Sequence, residues 1–225
     1  MPLKLVVFDV DGTLVDSQAE ILASMRSAFA AVSLPAPDRE SILGIVGLSL
    51  DRAVEVLVPE ASGAVHDQLV AEYKSAFQKR RLEHGAGASP LFPGAREVLD
   101  GLLGRGDVLM GIATGKSKRG LDALFEAHDL SKYFVTAQVA DHHPSKPNPS
   151  MLLAALQETG TKAGAAMMVG DTSYDMEMAR AAGMRGIGVA WGYHSLERLT
   201  PAADIVITRF LDLFELLELA EEDDR

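Results

Sequence analysis

The chain has 225 residues, 48% hydrophobic and 24% charged, enough to bury one large core or one core with a small appended unit. It contains no cysteine, which excludes disulfides, thiolate metal sites and a cysteine nucleophile, and its net charge of −11 opposes nonspecific binding to nucleic acid. No apolar run approaches the roughly 20 residues that cross a bilayer, and the N-terminus enters a strand without a signal-peptide pattern, so a cytoplasmic protein without a membrane or nucleic-acid partner is expected.

The first element is the Val-rich run Leu5-Val6-Val7-Phe8, read as a buried strand that delivers Asp9 and Asp11 at positions i and i+2. In extended geometry both carboxylates leave on one side, and like charges held that close call for a cation. Hard oxygen ligands completed by a phosphate and waters suit Mg2+. Gly12 then turns the chain and Thr13 adds a hydroxyl beside the strand end. A surface turn or part of a calcium loop would also contain Asp-Val-Asp-Gly, although the buried strand before it argues against both.

Beyond Ser17 the pattern becomes helical: Ile21, Leu22, Met25, Phe29 and Val32 recur at helix spacing, with Ser17 and Glu20 forming a capping box. Helical segments follow at Asp38–Val46, Leu50–Val58 and Val65–Arg81, and the glycine-rich loop His84–Pro90 closes the block. Helix and strand then alternate. Helices are expected at Ala95–Leu103, Lys118–Ala127, Ser150–Glu158, Asp175–Ala182, around Leu196 and at Phe210–Ala220. The strands between them are Val108–Ala113, Phe134–Val139, Ala165–Val169, Gly186–Ala190 and Asp204–Thr208. Such alternation predicts an α/β fold, a Rossmann-like parallel sheet with helices on both faces and ligands at the carboxyl ends of its strands. The predicted domains are a core of residues 1–15 and 90–225 and an all-helical insertion at 16–89. The acidic tail Glu221–Asp224 reads as a solvated, frayed end.

Three further groups lie at strand ends or in rigid loops. Thr114-Gly115-Lys116-Ser117 offers a hydroxyl, a glycine and backbone N–H groups opening a helix, a pattern shared by anion sites and by plain turns with Thr as N-cap. Lys146 stands among Pro144, Pro147 and Pro149, a rigid path that presents one side chain, where a solvated loop lysine is the bland alternative. His142 and His143 lie in the same loop and lack ligand spacing. Asp171 and Asp175 in Gly-Asp-Thr-Ser-Tyr-Asp follow the strand Ala165–Val169, and either one alone could be a helix-capping residue.

Taken together, Asp9-Val10-Asp11-Gly12-Thr13-Leu14-Val15-Asp16-Ser17, Thr114, Ser145-Lys146-Pro147 and Gly170-Asp171…Asp175 resemble the four motifs of the haloacid dehalogenase superfamily, in its phosphatase branch, nearest to phosphoglycolate-phosphatase-like members. That resemblance implies a helical cap at 16–89 and Mg2+-dependent hydrolysis of a small phosphomonoester such as 2-phosphoglycolate. It implies Asp9 as nucleophile, Asp11 as acid and base, Thr114 with Gly115 on the phosphoryl group, and Lys146 offsetting charge. The metal is then held by Asp9, the backbone carbonyl of Asp11 and Asp171, with Asp175 as a further or outer ligand. Selectivity is expected from Gly44–Ser49 and from Lys79, Arg80 and Arg81, in a monomer or homodimer. A sugar phosphomutase shares the motifs. A dehalogenase would need neither Asp11 nor the Asp171/Asp175 pair, a phospho-accepting signalling module would be about half this length, and an inactive interaction module would not be expected to keep all six residues.

Overall fold

A computed structural model describes residues 3–222. Its sheet has six strands in the order β3-β2-β1-β4-β5-β6, all parallel. They are β1 (Lys4–Phe8), β2 (Val108–Thr114), β3 (Thr136–Val139), β4 (Ala166–Gly170), β5 (Arg185–Val189) and β6 (Ile205–Ile207). β1 is central and every residue in it is buried, as a strand covered on both faces requires. Leu5 and Val7 point to the side packed by α7 (Ser150–Thr159) and α8 (Ser173–Ala181). Val6 and Phe8 point to the opposite side, packed by α5 (Ala95–Leu103), α6 (Lys118–His128) and α10 (Asp212–Glu222). A short α9 (Leu196–Leu199) completes this unit. The strand order reverses between β1 and β4, and in such sheets the ligand crevice lies outside the carboxyl ends at that point.

Between β1 and α5 the chain forms α1 (Gln18–Ala31), α2 (Arg39–Leu43), α3 (Leu50–Leu57) and α4 (Gly63–His84). These share a separate apolar cluster that includes Met25, Phe29, Ile42, Val54 and Leu69. The chain leaves and re-enters the sheet unit as a short paired ribbon: Val15 bridges Leu91, Asp16 N–H donates to the Pro90 carbonyl at 2.8 Å, and Phe92 N–H donates to the Leu14 carbonyl at 3.0 Å. No helix among the described residues is long and apolar enough to cross a membrane.

Several local expectations are corrected. Ser17 is the N-cap of α1 but makes no capping bond; its hydroxyl goes to Asp11, while Glu20 pairs with Arg80 and His84. α2 stops at Leu43 instead of Val46, because residues 44–48 turn toward the sheet unit, with Gly47 at φ +99°. β3 starts at Thr136, since Ser131–Tyr133 forms a 3-10 turn and Phe134 packs against Phe8, Phe125 and Tyr133. α8 begins at Ser173, where Thr172 and Asp175 form a reciprocal capping box. The end of the acidic tail, residues 223–225, and the side chains from 219 onward lie outside the described residues.

Candidate active site

Asp9 leaves the end of β1 and is held against β4 by its N–H, which donates to the Val169 carbonyl at 2.9 Å. The loop that follows is tight: the Val10 carbonyl accepts from the N–H groups of Thr13, Leu14 and Val15. Gly12 has φ +84°, and a Cβ there would stand 2.3 Å from Asp171 Oδ2, so only glycine fits between the two motifs. Thr13 is buried and its hydroxyl donates to Asp171 Oδ1 at 3.0 Å. Tyr193 N–H donates to Asp171 Oδ2 at 2.8 Å.

Lys146 is 2% exposed, and its Nζ donates to Asp9 Oδ1 at 2.7 Å and to Asp175 Oδ1 at 2.6 Å. Its loop therefore delivers it into the protein and not to solvent. Asp175 Oδ2 is occupied by the Thr172 N–H and hydroxyl, so this carboxylate caps α8 and meets Lys146 at once. Asp9 Oδ2 is buried without a hydrogen-bond partner. Oxygens of Asp9, Asp171 and Asp175 lie within 4.8 Å of one another.

Burial pushes the Asp9 carboxyl up to about 7, with Lys146 opposing and Asp175 and Asp11 reinforcing the rise. Asp171 is also raised well above the usual carboxylate range, by burial and then by Asp9 and Asp175, against its bonds from Tyr193 and Thr13. Burial alone would lower Lys146, but Asp175 and Asp9 outweigh it and raise its affinity for a proton. An orphaned buried oxygen among carboxylates that resist ionisation is the donor set of a hard divalent cation. The residues present fit such an ion, held by Asp9 and Asp171, with Asp175 already committed to Lys146 and the helix cap.

Asp11 has partners of its own. Its carboxylate accepts from Lys116 Nζ at 2.8 and 2.9 Å and from the Ser17 hydroxyl. Lys116, to which no role could be given from sequence, also lies 5.0 Å from the centroid of the Phe77 ring on α4. Thr114 ends β2 and is buried, its Oγ1 accepting from Lys116 N–H at 3.2 Å. The N-cap of α6 is Ser117, not Thr114.

A cavity of about 210 Å³ opens over this arrangement. Asp9, Asp11, Thr114, Gly115 and Lys116 form one part of its wall; Asp171, Asp175 and Lys146 are fully or almost fully buried and do not line it. Ser117, Arg119 and Gly120 add to that side, and the rest comes from the helical unit, largely as apolar or aromatic side chains, among them Met25, Ile45, Val46, Tyr73 and Phe77. Of the basic residues expected to set selectivity, Arg81 lines the cavity, Arg80 is engaged by Glu20 at 2.7 Å, and Lys79 is exposed and outside the wall. His143 bonds Ser150 and Gln138, His142 is exposed, and neither lines the cavity.

The helical unit rests directly on the sheet unit. The Gly44 carbonyl accepts from Tyr174 Oη at 3.0 Å and from His194 Nε2 at 3.2 Å, and Ser49 N–H donates to Ser145 Oγ at 2.9 Å. His194 Nδ1 accepts from Ser173 N–H, which leaves the proton on Nε2; burial and then Arg198 push this imidazole down to about 4. A Cβ on Gly115 would stand 2.5 Å from the Leu48 carbonyl oxygen.

A model of the haloacid dehalogenase-like hydrolases matches residues 6–189. The chain is 38% identical to the probable phosphatase IndB of Dickeya dadantii (strain 3937), over 90% of this chain and 88% of that protein. It is 29% identical to a phosphoglycolate phosphatase of Vibrio parahaemolyticus, over 97% of each. Among solved structures, a predicted phosphoglycolate phosphatase of Haemophilus somnus superposes with a TM-score of 0.83 at 23% identity, over 95% of this chain and 97% of that one.

Proposed function

The chain belongs to the haloacid dehalogenase-like hydrolases, and from that membership and the geometry above we propose that it hydrolyses a small phosphomonoester, with Mg2+, through a phosphorylated Asp9. The observation that carries the reading is the Asp9 carboxylate, with one oxygen on Lys146 and the other buried and unpartnered at the cavity wall. When bound, Mg2+ supplies positive charge to a phosphoryl group that a carboxylate otherwise repels.

Asp9 attacks phosphorus and the ester oxygen leaves with the bonding pair. Asp11 hands that oxygen a proton, then takes one from the water that cleaves the acyl phosphate, serving both directions from one position. Thr114 and the amides that follow it line the place of the phosphoryl oxygens. Lys146 keeps Asp9 ionised and oriented, and Asp175 orients Lys146. The helical unit at 16–89 acts as a cap that shields the site during transfer. Relatives named phosphoglycolate phosphatase support 2-phosphoglycolate as the reference substrate.

The test is rapid quenching with a phosphoryl-labelled ester and Mg2+. A hydroxylamine-labile label on the peptide carrying Asp9, absent in Asp9→Asn, is the expected result. Turnover without that label would refute the covalent step, and isomerisation of a sugar phosphate without phosphate release would replace phosphatase with mutase.

A further inference from the structure

The phosphatase reading leaves open what the ester carries, and the cavity wall bears on it. The helical side of the wall is formed in large part by Ile45, Val46, Leu50, Ala53, Tyr73 and Phe77. Ile45, Val46 and Ala53 are buried, so this lining is part of the helical unit's own core turned toward the cavity. The cations nearby are differently placed. Lys116 is committed to Asp11, Lys74 and Arg119 are exposed, and Arg81 is half-buried where it lines the cavity.

A glycolate carboxylate or a sugar hydroxyl set against the hydrocarbon part of this wall gives up hydration without recovering hydrogen bonds. An apolar group loses nothing and gains contact. Size points the same way: apolar cavities of about 150 Å³ accept benzene, and this one measures about 210 Å³. Resting on the phosphatase reading, we propose that the preferred substrate is the phosphomonoester of an alcohol with an apolar body, an aromatic ring or a branched or extended hydrocarbon chain, seated against Ile45, Val46, Leu50, Ala53, Tyr73 and Phe77. Specificity then comes from hydrocarbon contact with α3, α4 and the 44–48 turn more than from Arg81 or another cation pairing with a distal carboxylate.

The experiment uses the full chain and a graded series. Ethyl, propyl, butyl and benzyl phosphates are assayed with Mg2+ beside 2-phosphoglycolate and ribose 5-phosphate, and the corresponding alkyl phosphonates are titrated calorimetrically. Each methylene that meets the wall should raise kcat/KM and phosphonate affinity by about fourfold, with a heat-capacity change that becomes more negative along the series. Benzyl phosphate should exceed 2-phosphoglycolate by roughly tenfold or more in kcat/KM. Phe77→Ala should flatten the methylene dependence, but the wild-type series alone decides the matter if that variant folds poorly. A flat series, or 2-phosphoglycolate surpassing benzyl phosphate, overturns the proposal while leaving the phosphatase intact. Phosphonates that bind ever more tightly with chain length, beside no phosphate release from any ester, would support the pocket assignment and defeat the phosphatase reading instead.

Discussion

Replacing Lys146 by methionine isolates the electrostatic centre of the site. The ammonium lies 2.7 Å from Asp9 and 2.6 Å from Asp175, with its side chain 0% exposed, so no water can take its place without rearrangement. Methionine conserves most of the volume, and the packing loss is small. Removing one partner of a buried ion pair costs about 3–5 kcal/mol, and here a single cation serves two carboxylates. The variant should therefore lose at least 3 kcal/mol at pH 8, measured by urea unfolding with chelator present. Asp9 and Asp171 already hold protons more tightly than free carboxyls do, and losing the cation raises Asp9 further. The folded variant then binds more protons than the unfolded chain over the range between the ordinary carboxyl value and the raised one, and its stability falls as pH rises through that range. The deficit should shrink at pH 5.5 and be partly restored by Mg2+. A loss below about 1 kcal/mol at pH 8, or one that grows as pH falls, would show that Lys146 does not neutralise this cluster.

Asp11→Asn should slow both formation and hydrolysis of the phosphoenzyme by about 10²–10⁴-fold while leaving Mg2+ affinity near wild type, because the metal contact proposed for it is the backbone carbonyl; a loss as large as that of Asp171→Asn, read by calorimetry, would contradict this. Gly115→Ala places a methyl 2.5 Å from the Leu48 carbonyl oxygen and should hold the helical unit ajar, lowering kcat/KM by about 10²-fold with an unchanged melting temperature; wild-type kinetics would refute the contact. His194, held near 4 in the folded chain, contributes stability that is present above the unfolded value of about 6.5 and lost as pH falls toward 4. Between pH 7 and pH 5 the wild type should lose about 2 kcal/mol through this group, and a His194→Gln variant that shows the same slope would assign the loss elsewhere.

The sheet was legible because its signals are local. Apolar runs end at Asp9, Thr114 and Gly170, and the helices between them carry apolar residues at helical spacing, so element boundaries fall within a few residues of those expected. Failures occur where a side chain is claimed from far along the chain. Ser17 and Glu20 read as a capping box, yet Ser17 serves Asp11 and Glu20 is taken by Arg80, 60 residues away. Lys116 carried no signal as a partner of Asp11, because the two are 105 residues apart and only the β1–β2 pairing brings them together. The basic run Lys79-Arg80-Arg81 looked uniform in sequence, but on α4 its members face different directions, and only Arg81 lines the cavity.

The placement of the insertion explains how one scaffold can keep its chemistry while its substrate varies. The chain leaves the sheet at Val15 and returns at Leu91 through adjacent, paired segments, so the helical unit is joined at one edge and touches the site chiefly through the 44–50 turn and one face of α4. The buried charged cluster lies on the sheet side: Asp9, Lys146, Asp171 and Asp175 are bonded or within ligand distance, and removing Lys146 leaves two carboxylates buried without their cation. Such a cluster tolerates little change. The apolar wall opposite obeys a different rule, because hydrocarbon contacts accept exchanges of similar volume at a cost below about 1.5 kcal/mol. Substitution on α3, α4 or the turn can therefore reshape what the cavity admits without disturbing the carboxylates. The joint between the two rules is the Gly44 carbonyl, clasped by Tyr174 and His194 from the sheet side. Tyr174 and His194 both contact α8 or its first turn, which also carries Asp175. Docking of the cap and alignment of Lys146 thus depend on the same helix N-terminus, and a shift in either is felt at Asp9.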